Sequence, residues 1–456
     1  MQKRHHLNPT MTEGSLPRNM LLISLPLMAS NVLQVLFNMS DIAVVGQFAG
    51  SHALGSVGST AMFVTLLTGI LIGMGSGINI IVARFLGARK DRDVAESVHT
   101  AFLLAFFVGL AMFALGFFGA RPILALLGTK DILLDGAIRY LQIYSLGLPA
   151  AALYNWGNAV FSAAGDTRKP LYVLFAAGVL NVVLNLFFVI VCHLAEAGVA
   201  IASAASQWLS ALLLLFLLCR TDAAYRFHFR ELRLHADKVK LILPLGLAAG
   251  AQNAIFATAN LFIQAGVNTF DAVIVEGTAA AANADSLVYD VMAAIYTACS
   301  SFMSQNYGAG KRKRVLHSYL IALAYSFGIG AIFGVSLALF GRGFLSIFAT
   351  DAAVIEAGLT RLQLMGVCYA FSAFMDCTIA ASRGLGKSVV PTIIVILGSC
   401  VFRVLWVYTV FAYFNTIMSL YLVYIFSWTL TALAEIIYFV HIYKQTTKRF
   451  AASEAA

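Results

Sequence analysis

The sequence has very few charged residues for its length. Of its 456 residues only 11% are charged and 60% are hydrophobic, whereas soluble domains carry about 25% charged residues. A chain this poor in charge cannot cover a water-exposed surface, which excludes an ordinary soluble protein. Apolar stretches of about 20 residues, long enough to cross a bilayer, recur along the whole chain. The sequence therefore predicts a membrane-embedded protein.

The sequence also lacks the motifs of several chemical functions. Its six cysteines lie within or at the ends of apolar segments and form no Cys-x-x-Cys pair, so neither a metal site nor a disulfide framework is indicated. No phosphate-binding loop, HExxH motif or Ser/His/Asp group in a soluble fold is present. We therefore expect no enzymatic activity and no cofactor, and any energy input must come from an ion gradient.

The net charge of +9 alone would suggest a nucleic-acid partner. The placement of the charges argues against that, because most Lys and Arg residues lie in every second loop. By the positive-inside rule, these loops and both termini lie in the cytoplasm. Arg403 is the only basic residue that lies deep in a predicted span, whereas five acidic residues do: Asp41, Asp285, Asp290, Asp376 and Glu435. We therefore expect a lipid bilayer around the chain and no nucleic acid.

Hydropathy predicts twelve membrane-spanning segments. Lipid-exposed backbone must satisfy its own hydrogen bonds, and the segments are too long and too uniformly apolar for barrel strands. The predicted fold is therefore an all-α polytopic membrane protein. The twelve spans lie near 20–46, 54–83, 95–118, 137–164, 170–193, 197–219, 239–267, 274–305, 315–341, 358–382, 389–412 and 418–443.

The chain matches itself at an offset near 220 residues, which indicates an internal repeat. Six spans per repeat is an even number, so the halves are expected to form two parallel six-helix bundles related by an axis along the membrane normal. The matched features are Pro26 and Gln34 with Pro244 and Gln252, Gly87-Ala88-Arg89-Lys90 with Gly308-Ala309-Gly310-Lys311, Leu141-Gln142 with Leu362-Gln363, and Gly165 and Pro170 with Gly386 and Pro391.

This repeat sets the predicted domains. They are a cytoplasmic leader at 1–19, an N-terminal six-helix bundle at 20–219, a basic cytoplasmic linker at 220–238, a C-terminal six-helix bundle at 239–443 and a cytoplasmic tail at 444–456. A cleft between two such bundles that opens on alternate sides is typical of a transporter. A channel or receptor is disfavoured, because the sequence has neither a selectivity-filter signature nor a soluble sensing domain.

The first predicted span carries a polar face. Asn31, Gln34, Asn38 and Asp41 are spaced by three, four and three residues, which places them on one side of a helix. Charged residues inside spans are costly and usually functional, so Asp41 is the leading candidate for a transported or coupling cation. Pro26 leaves a main-chain acceptor free and is expected to kink this span. A change of charge at Asp41 would then alter the shape of the cleft.

Other polar side chains of the first half lie in neighbouring spans: Asn155 and Asn158 in the fourth, Asn181 and Asn185 in the fifth, and Ser203 in the sixth. A carboxylate with amide and hydroxyl oxygens is a suitable shell for Na⁺. It is an equally suitable proton site, because burial favours a neutral carboxylic acid. The simpler alternative is that these groups only hydrogen-bond across helices as packing contacts.

The second half carries a different set. Asp285, Tyr289, Met292 and Tyr296 share one face of the eighth span, which would suit amphipathic organic cations through charge, cation–π contact and adaptable packing. Ordinary helix packing is the alternative for this face. Two further acids, Asp376 and Glu435, lie in the tenth and twelfth spans, and Asp376 is a further candidate for the substrate cleft. The alternative is that Arg403 of the eleventh span neutralises Asp376 or Glu435 and forms a structural ion pair.

At these residues the chain resembles the multidrug and toxic compound extrusion (MATE) family over nearly its whole length. The resemblance rests on Phe37-Asn38-Met39-Ser40-Asp41, Tyr154-Asn155, Ala164-Gly165-Asp166-Thr167-Arg168-Lys169-Pro170, Gln305-Asn306-Tyr307-Gly308-Ala309-Gly310 and Arg383-Gly384-Leu385-Gly386-Lys387-Ser388 with Pro391. It implies two six-helix bundles arranged as a V in the bacterial plasma (inner) membrane. It also implies export of drugs or organic cations in exchange for H⁺ or Na⁺.

The resemblance further implies that Asp41, Asn181, Asn185 and Ser203 form a first-half cation site. Ser203 stands where Thr is common, and Asn185 stands where many members have Asp. The loss of that second carboxylate removes one negative charge, which should weaken Na⁺ binding or leave Asp41 as the sole exchanging group. Phe256 and Ser372 stand where members carry the acids of a second-half site. Whether Asp376 takes their place stays open.

The predicted function is thus secondary active multidrug efflux by alternating access. It exchanges cytoplasmic organic compounds, cationic or neutral and amphipathic, for H⁺ or for Na⁺ bound at Asp41, and we expect a monomer. The alternative is a flippase for a lipid-linked oligosaccharide or peptidoglycan precursor. Such a protein would line its cleft with basic groups for the pyrophosphate, which the single deep Arg403 disfavours.

Overall fold

The computed structural model describes residues 11–455, with side chains through Lys448. The first ten residues of the predicted leader and the last residue of the predicted tail lie outside this part. The described chain is helical throughout its regular structure, with no strand among these residues. The predicted all-α class is confirmed.

Sixteen α-helices follow one another along the described chain. Short π-helical turns at Val45–Ala49, Phe187–Val191, Ile396–Val401 and Val407–Phe411 and a 3₁₀ turn at Phe229–Glu231 connect or interrupt them. The helices are α1 (Leu16–Val44), α2 (Gly50–Gly87), α3 (Asp91–Phe118), α4 (Ala120–Leu126), α5 (Asp131–Ser145), α6 (Leu148–Ala164), α7 (Arg168–Leu186), α8 (Ala195–Arg220), α9 (Ala236–Val267), α10 (Ala272–Gly308), α11 (Arg312–Leu345), α12 (Ala352–Gly384), α13 (Val389–Val395), α14 (Phe402–Trp406), α15 (Ala412–Phe414) and α16 (Ile417–Ala455).

Ten helical stretches of the described chain are long and apolar enough to cross a membrane. The first two predicted spans form one helical stretch, Leu16–Gly87, in which the π-helical turn at Val45–Ala49 and the positive φ of 85° at Gly50 separate α1 from α2. The fourth predicted span is divided between α5 and α6. Pro149 at the start of α6 has no N–H to continue the helix of α5, so the chain turns at Leu146 and Gly147.

The corners that follow the spans repeat in the backbone. Gly165 and Gly386, which the sequence match pairs, both have a φ of 81°. Arg89 and Gly310 form the second matched pair, with φ values of 54° and 70°. The left-handed backbone therefore recurs at both matched positions, even where one half carries arginine instead of the glycine that this conformation favours.

Contacts divide the described chain into two units, each with its own hydrophobic core. The first unit holds Ala29–Ala254 and the second holds 11–28 and 255–455. The division thus falls within α1 and α9 and differs from the predicted bounds at 219 and 239. Met20 and Ile23 of α1 explain part of the difference, because both are buried in the core of the second unit. The predicted bounds of the two bundles stay a prediction.

The first half of α9 joins the first unit through glycine contacts with α2. A Cβ atom at Gly73 would lie 2.2 Å from the main-chain nitrogen of Gly250, and one at Gly77 would lie 2.6 Å from that of Gly246. Only glycine permits such an approach of two helix backbones. The spacing Gly246-x-x-x-Gly250 therefore serves helix packing.

Candidate cation-coupling site

The four predicted cation-site residues meet in the first unit. Asp41 lies in the last turn of α1, Asn181 and Asn185 lie one turn apart on α7, and Ser203 lies on α8. Asn185 Nδ2 donates a hydrogen bond of 2.5 Å to Asp41 Oδ1, and Ser203 Oγ donates one of 3.3 Å to Asp41 Oδ2. Each carboxylate oxygen of Asp41 is therefore held by a different helix.

The close packing of α1 on α7 brings these groups together. Gly178 of α7 faces the ring of Phe37 on α1, one turn before Asp41, and a Cβ atom at Gly178 would lie 1.8 Å from that ring. The missing side chain thus provides the space in which α1 approaches α7. Helix α7 therefore carries the glycine that permits the close approach and also, one and two turns later, Asn181 and Asn185.

Asn185 is fully buried and connects the set. Its Nδ2 also donates to Asn181 Oδ1 at 3.2 Å, whereas its Oδ1 has no hydrogen-bond partner among the described residues. In this orientation the amide presents hydrogens to Asp41, which stabilises an ionised carboxylate. A half-turn of the amide would direct Oδ1 at Asp41, and a proton or cation between the two oxygens would then be needed to offset their repulsion.

Two tyrosines near Asp41 were missed by the sequence reasoning. Tyr140 and Tyr144 lie one turn apart on α5 with ring centroids 5.8 Å from each other, and both lie within electrostatic range of Asp41. The signal was present in the sequence, since two tyrosines four residues apart in an apolar span share one face. Among the described residues, α5 thus joins α7 and α8 around Asp41 of α1.

The other polar candidates of the first half lie apart from this hydrogen-bonded set. Gln34 interacts with Tyr154, and Asn155 donates to the carbonyl of Ala151 in its own helix at 2.8 Å. Asn38 is exposed and Asn158 is half-buried. None of these side chains hydrogen-bonds Asp41 in the described structure. Their predicted contact with substrate stays a prediction.

The predicted face of α10 does not form one accessible surface. Tyr289 has an exposed fraction of 52%, but Met292 and Tyr296 are buried in the core of the second unit. Asp285 forms an ion pair with Arg361 Nη2 at 2.5 Å and also accepts a hydrogen bond from the Tyr369 hydroxyl. The charge that was predicted to attract an organic cation is therefore already compensated within the protein.

Arg361 itself corrects a second expectation. The sequence placed it at the start of the tenth span, yet it is buried and lies over the rings of Tyr421 and Tyr424 at 5.1 and 5.5 Å. Arg403 is therefore not the single deep basic residue. A pyrophosphate-binding flippase is therefore no longer disfavoured by a single deep basic residue, although Asp285 already compensates Arg361.

The Asp285–Arg361 pair gives a direct stability prediction. Replacing Arg361 by Met keeps an unbranched apolar stem, removes the guanidinium group and leaves Asp285 without its countercharge, which typically costs about 3–5 kcal/mol for a buried pair. We expect Arg361→Met to lower the thermal unfolding midpoint of the detergent-purified protein. The double variant Asp285→Asn with Arg361→Met should recover most of the loss, and a double variant as unstable as Arg361→Met would contradict the pairing.

Arg403 does not form the predicted ion pair with Asp376 or Glu435 in the described structure. Its Nη1 donates to Asn260 Oδ1 at 2.9 Å and its Nε donates to Ser427 Oγ at 3.4 Å. Its guanidinium carbon also lies over the rings of Phe256 and Tyr424, at 5.0 and 4.9 Å from the ring centroids. No ion pair joins Arg403 to Asp376 or Glu435 in the described chain. Phe256 stands where, by the resemblance, other members carry an acid. Here its ring packs against the guanidinium group of Arg403.

The described residues contain no group of three or more His, Cys, Asp or Glu side chains that could hold a metal ion. A Na⁺ ion at Asp41 would therefore have one carboxylate and otherwise neutral oxygens from Asn181, Asn185 and Ser203. Such a shell fits the oxygen preference of a hard cation but carries only one negative charge. A proton needs no more than this one carboxylate.

The two halves of the chain match one known family model. The model of the MatE family matches residues 26–187 and again 248–409, and together these ranges cover more than half of the chain. The chain belongs to the MatE family. The two matches also begin about 220 residues apart, so the predicted internal repeat is confirmed.

Several known proteins resemble this MatE protein. A protein described as probable multidrug resistance protein YpnP, from Bacillus subtilis, is 27% identical and covers 79% of this chain and 80% of its own length. A protein described as FAD transporter, from Shewanella oneidensis, is 27% identical over 78% of each chain. A solved structure of a MOP superfamily transporter from Pyrococcus furiosus, whose description reports reverse polarity of the binding pocket, has a TM-score of 0.90 at 20% identity and covers 98% of this chain and all of that one.

These similarities confirm the resemblance and the predicted fold. The MatE protein is a multi-pass membrane protein of a transporter family, not of an enzyme family, and its bacterial relatives favour the inner membrane. The relatives described as multidrug resistance proteins support a multidrug transporter. The coupling ion, the substrate and the roles of the individual residues remain proposals.

Proposed function

We propose that this MatE protein exports amphipathic organic compounds from the cytoplasm in exchange for a cation that binds at Asp41. The observation that carries the proposal is the arrangement of Asp41, whose two carboxylate oxygens accept hydrogen bonds from α7 and α8 inside an apolar helix bundle. We further propose that the protein acts as a monomer in the bacterial inner membrane, with both termini in the cytoplasm.

Cation binding changes what Asp41 can do for its neighbours. As a carboxylate it accepts from Asn185 and Ser203 and so ties the end of α1 to α7 and α8. As a neutral acid it has less acceptor capacity and gains a hydrogen to donate, so that the Asn185 amide is favoured to turn its free Oδ1 inward. Loading of Asp41 therefore replaces charge-assisted hydrogen bonds by weaker neutral ones at the end of α1, the helix in which Pro26 already removes one main-chain hydrogen bond.

We propose H⁺ as the coupling ion in preference to Na⁺. The four groups around the site supply a single negative charge, because residue 185 is asparagine and residue 203 is serine. A bound Na⁺ would need the carbonyl oxygens of both amides, whereas the Asn181 oxygen is already engaged by Asn185. A proton satisfies the site by binding to Asp41 alone.

A second candidate substrate class is aromatic anions, to which FAD belongs. The observation that favours it is the buried guanidinium group of Arg403 in the second unit, whose Nη2 has no hydrogen-bond partner among the described residues and which, unlike Arg361, forms no ion pair there. This group lies beside the rings of Phe256 and Tyr424, so charge and an aromatic surface occur together. A lipid-linked pyrophosphate, the substrate of the alternative flippase function, is also an anion and would use the same positive charge.

Reconstituted transport separates these proposals. Proteoliposomes are loaded with ethidium as the cationic probe or with FAD as the anionic probe, and efflux is driven by a pH jump or, separately, by a Na⁺ jump. We expect ethidium efflux with the pH jump and none with the Na⁺ jump. Efflux of FAD alone would replace the cation proposal by the anion proposal, and efflux that responds to neither jump would contradict cation coupling.

A further inference from the structure

Glu435 is a buried acid that the proposed function does not use. It lies on α16, its side chain is fully buried, and neither carboxyl oxygen has a hydrogen-bond partner among the described residues. An ionised carboxylate without hydrogen bonds is expensive in an apolar interior, so the neutral acid is favoured there. An ionised Glu435 would need a nearby positive charge to be stable.

The neighbouring turn of α16 offers no charge. Thr431, one turn earlier, shares a hydrogen bond of 2.9 Å with Ser399. Ala432 packs in a small apolar cluster with Met375 and Ile379 of α12. Helix α13 and the π-helical turn that follows it contain no charged residue. Glu435 therefore depends on more distant groups for any electrostatic stabilisation.

Those groups come mainly from α12. Arg383 and Asp376 both lie within electrostatic range of Glu435, and Tyr438 is the neighbouring titratable group on α16 itself. Arg403 of α14 lies within range of Asp376 and is not among the groups that act on Glu435. Among the described residues, Asp376 therefore has the guanidinium groups of Arg383 and Arg403 nearby, whereas Glu435 has that of Arg383 and shares it.

Arg383 is placed to serve either acid. It lies at the end of α12, next to the turn at 385–388, and its Nη2 is 3.5 Å from Thr392 Oγ1 of α13. When Arg383 compensates Asp376, the Glu435 carboxyl group has no cation of its own. Of the two acids, Glu435 is thus the one that must bind a proton to be stable in the interior.

We propose that Glu435 is a second proton-binding residue of this transporter, which holds a proton while Arg383 compensates Asp376 and releases it to water when Arg383 turns to Glu435. The inference rests on the proposed proton coupling and adds a second site in the other unit. Because Arg383 and Glu435 belong to different helices, release of the proton draws the end of α12 toward α16. Proton occupancy would then set the position of the turn at 385–388.

Infrared difference spectroscopy on the purified protein tests the protonation directly. Spectra are recorded as the pH is raised, and the carbonyl stretch of protonated carboxyl groups is followed in wild type, Glu435→Gln and a matched surface control, Glu356→Gln. Glu356 is exposed and pairs with Arg342 in the same unit. We expect Glu435→Gln to remove one protonated-carboxyl band that the control keeps, and an unchanged band would overturn the proposal.

Thermal unfolding of the same variants separates proton binding from a structural ion pair. Glutamine resembles the neutral acid, so Glu435→Gln should unfold within a few degrees of wild type at neutral pH. A large loss of stability that Arg383→Gln relieves in the double variant would show a permanent ion pair and overturn the proposal. Neither measurement requires a transported substrate, so the inference can fail or stand independently of ethidium exchange.

Discussion

Asp41→Asn should reduce pH-driven ethidium efflux to the rate of protein-free vesicles. Asparagine has nearly the shape of aspartate but cannot exchange a proton, so it removes the change of charge without removing the side chain. The amide can still hydrogen-bond Asn185 and Ser203, whose donors lie 2.5 and 3.3 Å from the present carboxylate. We therefore expect the variant to fold and to bind ethidium while losing coupled efflux.

The matched control for this variant is Asp135→Asn. Asp135 is an exposed acid of the same unit, and its side chain forms only a surface contact of 3.5 Å with Arg121. Such contacts contribute little, so the control should transport like wild type. Efflux by Asp41→Asn at the control rate, with equal amounts of folded protein, would remove Asp41 from the coupling mechanism.

Gly334→Val should strongly destabilise the second unit. Helices α11 and α12 approach so closely at this point that a Cβ atom at Gly334 would lie 1.9 Å from the main-chain oxygen of Gly366. A backbone atom cannot move aside as the end of a side chain can, so the two helices must separate. Overpacking of this kind costs roughly 1–3 kcal/mol or more. We expect a lower thermal unfolding midpoint and less monodisperse protein after purification.

The same helix provides the control. Gly328 lies on α11 with no atom within 4 Å of the position of its Cβ atom. Gly328→Val therefore makes the same chemical change in an open place and should unfold close to wild type. Equal losses in the two variants would show that valine in this helix, and not the contact with α12, causes the destabilisation.

The fold was largely predictable because lipid imposes simple rules on sequence. Apolar length predicted the spans, and the offset near 220 predicted the corners, where Gly165 and Gly386 share a φ of 81°. The spacing within α1 and α7 placed Asp41, Asn181 and Asn185 on helix faces. Their mutual contact followed from the family resemblance, since sequence spacing alone does not show which helices are neighbours.

The charged residues of the second half were harder to interpret from the sequence, because they pair with residues far away along the chain. Arg361 and Asp285 are 76 residues apart in sequence, and nothing local indicates that they pair. The charge of Glu356 also lowers the hydropathy of the first turns of α12, so the span is predicted to start at 358 although α12 begins at Ala352. The contacts of Arg403 with Asn260 and Ser427 depend on the packing of three helices and left no sequence signal.

The most direct test of the central claim is to drive the exchange with an ethidium gradient instead of a pH gradient. Proteoliposomes that enclose a pH-sensitive dye are given an outward ethidium gradient with no initial pH difference. The account predicts that ethidium efflux moves protons inward, that the dye reports acidification, and that Asp41→Asn abolishes this signal. Ethidium efflux through the wild-type protein with no change of internal pH would contradict it.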